Sequence, residues 1–443
     1  MHLFDLTRPR AARALVAGVA VGMFAVAATA GVPATDPKPV LPHAPTPHST
    51  VHPRVAPDAL RAALRDAWQQ HPDFRVAQAQ VDAAGARLEA AGMPLYNPEL
   101  AFAFDDEGAD RSTTAGVNLT LDINDKRGAR RSAASARFDQ ASAQAQLQRR
   151  EFARQWLAAW AELQTAGQRV LAGERRLALL TRFADLAARQ FAADDISGLE
   201  RDLALLARDE ARAGQAALIA EHAQAQARFL ALGGSTLPDG GVALPSDTLP
   251  PPRPEPDGTE RMPEWRIAQA ASVAAEREVG VAQRDAVADP TVGVHGGRID
   301  EDGRGDNVFG VSVSIPLFVR NDHRNEVAAA RADAQAAVAQ AERVRIELAA
   351  TRRGATDSYA AAQSAWTLWR ASRGTDIERR TGLLERLWRE GELSTSDYLL
   401  QLNQTLDTAL AGAELEARLW RSYADYLAAT GQLERWAGLE TTP

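Results

Sequence analysis

The sequence predicts a mainly α-helical fold with a small β part, in which one half-repeat occurs twice: a strand hairpin followed by a long coiled-coil helical hairpin. Three observations carry this. Two pairs of short segments alternate apolar and polar residues with a period of two, the pattern of a strand with unlike faces. After each pair comes a long proline-free stretch rich in Ala, Arg, Gln and Leu. The two halves also keep one register. Gly116 falls on Gly310 and Arg130 on Arg324, and Ala134, Arg137, Asp139 and Gln146 recur as Ala328, Arg331, Asp333 and Gln340. Ser197 and Gly234 recur as Ser394 and Gly431 after a small drift in register, which suits loop differences. The period is far longer than that of solenoid repeats.

Residues 1–30 read as a signal peptide. Arg8, Arg10 and Arg13 precede an apolar stretch, Ala14 to Ala28, that ends in the small-x-small sequence Ala28-Thr29-Ala30. Residues 31–57 carry eight prolines together with His43, His48 and His52, and read as an extended, solvated linker. The first repeat spans 58–234. It opens with a helix over about 57–91. Strands follow at about 98–106 and 113–123, where Leu100, Phe102 and Phe104, then Val117, Leu119, Leu121 and Ile123, supply the apolar face. A helical hairpin is expected over about 131–232. Leu163, Val170, Leu177, Ala184 and Phe191 recur every seven residues, with Ala166, Gly173, Leu180 and Ala187 in the complementary positions of the seam. The pattern breaks at 192–198. Residues 235–263 form a Pro-rich linker between the repeats. The second repeat spans 264–439, with strands at about 290–297 and 307–317 and a helical hairpin over about 325–429 that breaks at 390–396. Trp156/Trp160 and Trp366/Trp369 lie at helical spacing and read as packing residues.

Composition narrows the function. The chain has 443 residues, a net charge of −8 and no cysteine. Disulfides, thiolate metal sites and an N-terminal lipid anchor on cysteine are excluded, and the acidic balance argues against nucleic-acid binding. Mean hydropathy is −0.29, and past the first thirty residues no apolar run approaches the ~20 residues of a spanning helix. A membrane crossing must therefore use a closed barrel. Four strands are too few for one, since the smallest common membrane barrels need about eight. Several copies would have to share a barrel, with the helices continuing below it around a polar bore. The competing reading is a periplasmic coiled-coil adaptor or scaffold without a pore, in which the strands form a small cap.

The layout over Asp58 to Leu439 resembles the outer membrane efflux protein family, the TolC-like proteins. The resemblance is carried by Asn97-Pro98-Glu99-Leu100, by Val311-Ser312-Val313-Ser314-Ile315-Pro316-Leu317-Phe318 running into Asn321, by Ala328-Ala329-Ala330-Arg331-Ala332, and by Gly391-Glu392-Leu393-Ser394 followed by Asp397-Tyr398-Leu399-Leu400. Pro316-Leu317-Phe318 with Arg320-Asn321 looks closest to the CzcC-like, metal-efflux branch. The resemblance implies a homotrimer with a twelve-stranded outer-membrane barrel and an α-helical periplasmic tunnel. It implies a periplasmic adaptor and a proton-driven inner-membrane pump as partners. The protein would then be a passive duct for small toxic solutes, metal cations among them, with no enzymatic activity and no cofactor.

The family meets its adaptor at the hairpin tips. Here these carry Asp194, Ser197 and Glu200 in the first hairpin and Gly391, Ser394 and Asp397 in the second. Ser197 with Glu200, and Ser394 with Asp397, resemble capping boxes. Gly391 suits a left-handed helix end. Asp194 stands where Gly391 stands in the second repeat, and aspartate tolerates that conformation. Asp194 and Asp195, repeated in a trimer, would form an acidic ring at the periplasmic entrance that favours cations. Acidic turns at 105–110 and 300–306 would sit at the outer mouth. His295 and His323 have no partner at metal-ligand spacing and read as structural. The chain holds no P-loop, dinucleotide fingerprint, nucleophile elbow or HExxH motif.

Overall fold

A computed structural model describes residues 55–108, 111–234, 246–253, 258–301, 304–373 and 377–439. The expected signal peptide, almost all of the 31–57 linker with its three histidines, parts of the 235–263 linker, Asp110 and Asp302 lie outside the described residues.

The expected opening helix is two helices, α1 (Asp58–Gln70) and α2 (Pro72–Ala91). Pro72 has no N–H to donate and fits only a first turn, so it breaks the helix there. His71 caps the new start, its Nδ1 accepting from Asp73 N–H at 3.2 Å. Strands β1 (Glu99–Asp106) and β2 (Arg111–Thr120) follow, then α3 (Lys126–Ala192) and α4 (Gly198–Ala231). β2 stops three residues short of the expected 123, and α3 starts five before the expected 131. Side-chain caps move the boundary: Asp122 accepts the N–H groups of Lys126 and Arg127 at 2.7 and 2.9 Å, and Asp125, at φ 55°, accepts that of Gly128 at 3.2 Å. With 67 residues, α3 is about 100 Å long at 1.5 Å per residue.

The second half repeats this order with α5 (Pro263–Asp285), β3 (Thr291–Glu301), β4 (Arg304–Ser314), α6 (Arg324–Arg373), α7 (Ile377–Arg389), α8 (Thr395–Ala429) and a short α9 (Leu433–Ala437). β3 runs past the expected 297. Gly296 and Gly297, which look like a stop, pair with Phe309 and Val308. β4 ends at 314 rather than 317, two residues before Pro316. Among the described residues no helix is long and apolar enough to cross a membrane.

The four strands form one antiparallel sheet in the order β1-β2-β3-β4. The helices next to it keep the same order: α2 packs on α3, α3 on α5 and α5 on α6. Further along, α4 packs on α3, α3 on α8, and α8 on α6 and α7. The upper and lower helices meet end to end. His71 Nε2 lies 3.3 Å from Ala231 O, where α4 ends and α2 begins. Arg150 joins the end of α8 to the start of α5, donating to Ala428 O at 3.5 Å and pairing with Glu264.

Two apolar clusters hold this frame. The larger gathers Leu60, Leu64, Trp156, Trp160, Trp420, Tyr423 and Trp436 around the middle of α3 and the last third of α8. Residues 246–253 are strapped to its edge. Gln363 donates to Leu249 O at 3.0 Å, Trp366 Nε1 and Arg370 reach Asp247 at 3.2 and 2.7 Å, and Trp420 Nε1 donates to Ser246 Oγ at 2.9 Å. The smaller cluster lies at the hairpin tips. Between them each hairpin has a close helix contact. In the first, Gly173 of α3 lies against Gln215 and Leu218 of α4; in the second, Gly412 of α8 lies under the indole of Trp369 on α6.

Candidate functional site

Both helical hairpins turn through the same hydrogen-bonded geometry. At the first tip Asp194 has φ 61°, and Asp195 N–H donates to Gln190 O at 2.9 Å; at the second, Gly391 has φ 76°, and Glu392 N–H donates to Leu387 O at 2.9 Å. Each is a left-handed helix end closed by a backbone bond to the last turn. The next helices start differently. Ser197 and Glu200 form a full capping box: Glu200 N–H donates to Ser197 Oγ at 3.2 Å, and Ser197 N–H donates to Glu200 Oε2 at 2.8 Å. Ser394 accepts from Asp397 N–H at 3.1 Å, but its hydroxyl donates to the Asp397 carboxylate at 2.7 Å. The Ser197 hydroxyl donates to its Glu200 carboxylate in the same way, at 2.9 Å, so the second tip has half of the expected box because the shorter aspartate reaches the hydroxyl but not the Ser394 N–H as well.

The tips are also bound to one another. Trp388 Nε1–H donates to the buried Thr395 hydroxyl at 3.2 Å, and that hydroxyl donates to Glu200 Oε1 at 3.3 Å. Glu200 thus caps its own helix with one oxygen and accepts from the second hairpin with the other. Its pKa is lowered by Ser197, through the backbone N–H and then the hydroxyl, with Thr395 adding to this. Beneath this relay Phe183 meets Trp388 and Tyr398 at ring distances of 4.5 and 4.8 Å. Burial pushes the Tyr398 phenol up to about 12. Thr395 and Trp388 escaped the sequence reading, since a Thr beside an N-cap serine carries no signal until the second hairpin is beside it. Asp194 and Asp195 are both exposed and have no ion pair among the described residues.

The sheet carries two unlike faces. Cross-strand register stacks Leu100, Val117, Val294 and Val311 in one row, Phe102, Ala115, Gly296 and Phe309 in the next, and Leu119, Val292 and Val313 in a third. Partners directly opposite share a face, so these rows make one continuous apolar surface, and its large residues other than the half-buried Val292 are exposed. The other face holds Glu99, Asn118, Gly293 and Ser312 in one row and Ala101, Gly116, His295 and Gly310 in another. His295 is therefore on the polar face, its ring occupying the space that a Cβ on Gly310 would need. His323 has φ 57° in the turn into α6, with Nδ1 3.8 Å from Glu326 and its ring 4.9 Å from that of Phe318. Among the described residues no group of three or more His, Cys, Asp or Glu is arranged to hold a metal ion. The acidic turns are partly neutralised: Asp106 pairs with Arg111 at 3.1 Å and Asp300 with Arg298 at 3.0 Å.

A buried polar joint links sheet and helices. Lys126 Nζ and Asp289 Oδ2 are 3.0 Å apart, with side chains 8% and 2% exposed. Tyr96 OH donates to Asp289 at 2.8 Å and Asn124 Nδ2 at 3.3 Å. Burial works against the Asp289 carboxylate, but Lys126, Tyr96 and Asn124 outweigh it and leave its pKa lowered. The joint crosses the repeats, so neither half alone predicts it.

No protein-family model matches the chain. It is similar to the nickel-cobalt-cadmium resistance protein NccC of Alcaligenes xylosoxydans xylosoxydans, 29% identical over 309 residues, which cover 67% of this chain and 69% of that protein. It is similar to the cobalt-zinc-cadmium resistance protein CzcC of Cupriavidus metallidurans, 28% identical over 333 residues, covering 73% and 77%. Among solved structures it shares its fold with the outer-membrane channel OprN, with a TM-score of 0.71 and 20% identity over 84% of this chain and 90% of that one.

Proposed function

We propose that the chain, which shares the outer-membrane channel fold and is related in sequence to NccC and CzcC, is a TolC-like protein whose three copies close into one twelve-stranded barrel and helical tunnel. The duct they form is the passive outer-membrane exit of a tripartite efflux assembly. One observation carries the closure. The sheet, the upper helices and the lower helices are all open layers, and each ends in an element of the first half on one side and of the second half on the other: β1 and β4, α2 and α6, α4 and α7. Such edges are unlike, so they meet head to tail around a ring. An open sheet with an apolar face cannot rest in lipid with its edges unpaired.

In this reading residues 58–234 and 264–439 are the two repeats, joined by 235–263. The mature chain is exported by the 1–30 segment to the outer membrane, without a lipid anchor. The tips around Asp194, Ser197, Glu200, Gly391, Ser394 and Asp397 dock a periplasmic adaptor, which couples the duct to a proton-driven inner-membrane pump. Three copies of Asp194 and Asp195 ring the entrance and favour cations. Kinship with NccC and CzcC supports divalent heavy-metal cations as the exported class. The native mass of the protein, extracted in detergent from isolated outer membranes, tests the assembly: a trimer is expected, and a soluble monomer would refute the duct. Asp194→Asn with Asp195→Asn tests the ring; unchanged cation-over-anion permeability in planar bilayers would remove it.

A further inference from the structure

The outward apolar face does not stop where the sheet stops. Phe309, Val311 and Val313 face outward on β4, whose last paired residue is Ser314. The same alternation continues unpaired through Ile315, Leu317 and Val319, with Leu317 78% and Val319 86% exposed. Two neighbouring connections repeat the feature, with Leu121 and Ile123 exposed after β2 and Val287 exposed before β3. Leu121 N–H still donates to Pro290 O at 2.9 Å, so these connections lie just beyond the end of the ladder. Arg320 follows at once and is exposed, and Arg324 comes four residues later, its side chain 86% exposed and its Nε 2.7 Å from Asp322. Apolar side chains that continue a lipid-facing surface and then give way to exposed arginines match one environment. That is the boundary between acyl chains and phosphate headgroups, where apolar groups are buried to a shallow depth and cationic groups meet anionic lipid.

We propose that the sheet-to-helix junction is a membrane collar: Leu121, Ile123, Val287, Ile315, Leu317 and Val319 are immersed at the acyl–headgroup boundary of a phospholipid leaflet, and Arg320 and Arg324 engage its anionic phosphates. The inference rests on the reading of the sheet as part of a membrane barrel. It extends the membrane contact beyond the paired strands, onto backbone whose polar groups the headgroup region can still hydrate.

The lack of native cysteine makes the test direct. Val311→Cys, Val319→Cys and Glu342→Cys each give one site for a polarity-sensitive fluorophore, in the full-length protein purified from membranes and reconstituted into phosphatidylethanolamine–phosphatidylglycerol vesicles. Expected is blue-shifted emission at 311 and 319, quenched by brominated acyl chains, and water-like emission at 342. Lipid-like emission at 311 with water-like emission at 319 would overturn the collar and leave the barrel standing. Water-like emission at both would overturn the barrel reading, and the collar with it. Adding Arg320→Gln and Arg324→Gln to the 319 probe is expected to move its emission toward the aqueous value in anionic vesicles; an unmoved spectrum would remove the headgroup contact.

Discussion

Lys126→Met is the most informative single perturbation of the joint between sheet and helices. It deletes one member of an ion pair whose other member, Asp289, is 2% exposed. Breaking a buried pair from one side costs about 3–5 kcal/mol, because the remaining charge has no partner and little water. Asp289 keeps Tyr96 and Asn124 as donors, each a hydrogen bond to a charged carboxylate worth about 1.5–3 kcal/mol, so the loss belongs at the lower end, about 3 kcal/mol. Replacing both members, Lys126→Met with Asp289→Leu, removes the charge and its need for a partner together. The double variant should recover most of the loss, with a coupling of at least about 2 kcal/mol in the cycle. The assay is urea unfolding of the detergent-solubilised protein, followed by tryptophan fluorescence. Acid provides a second reading. The Asp289 pKa is lowered on folding, so its contribution is full above the ordinary aspartate range and is lost only as pH falls through the lowered folded value. A Lys126→Met variant as stable as the parent, or a double variant worse than either single one, would refute the reasoning.

Other substitutions test the remaining structure. Gly173→Leu and Gly412→Leu should each destabilise by about 1–3 kcal/mol through overpacking, since even a Cβ there collides with Gln215 or Trp369. Gly167→Ala, whose Cβ would meet only His222 at 3.8 Å, should be neutral or stabilise by up to about 1 kcal/mol; thermal melts of the three rank them. Thr395→Val should break the relay between the tips and speed amide hydrogen exchange at 388–400 and 197–204 without shifting the global melt; unchanged exchange would mean that the relay holds nothing. Burial raises the pKa of Glu434 despite Arg150 and Arg149 nearby. A carboxyl with a raised folded pKa takes up a proton on folding, so it lowers stability above that value and is harmless below the unfolded one. Glu434→Gln should therefore stabilise at pH 7, with the gain gone near pH 4; a variant less stable at pH 7 would contradict this.

Much of the frame was legible from periodicity. The strand faces follow from Leu100-Phe102-Phe104 and Val311-Val313, because a period of two fixes a face whichever partner supplies the register. The left-handed turn at Asp194 was readable by comparison with Gly391. Element ends were not. α3 begins at Lys126 because Asp122 and Asp125 cap it, and a local cap is invisible to a pattern that counts apolar residues. The Glu200–Thr395 relay and the Lys126–Asp289 joint each connect residues more than 150 positions apart, and no spacing within one segment encodes them. The second capping box was over-read at Ser394, where one methylene separates Asp from Glu in reach.

The close contacts within the two hairpins have a consequence for how this duplicated chain can still change. In the first hairpin the outgoing helix offers the hole, Gly173, and the returning helix the knob, Gln215; in the second the outgoing helix offers the knob, Trp369, and the returning helix the hole, Gly412. The positions correspond in level, but the key and the lock have traded sides. A helix transplanted from one hairpin into the same place in the other would set glycine against glycine, leaving a void, or tryptophan against glutamine, where neither side yields. The two halves have thus become mutually incompatible spare parts: a crossover between the repeats within a hairpin would yield a chain that reads correctly along its length and fails to pack.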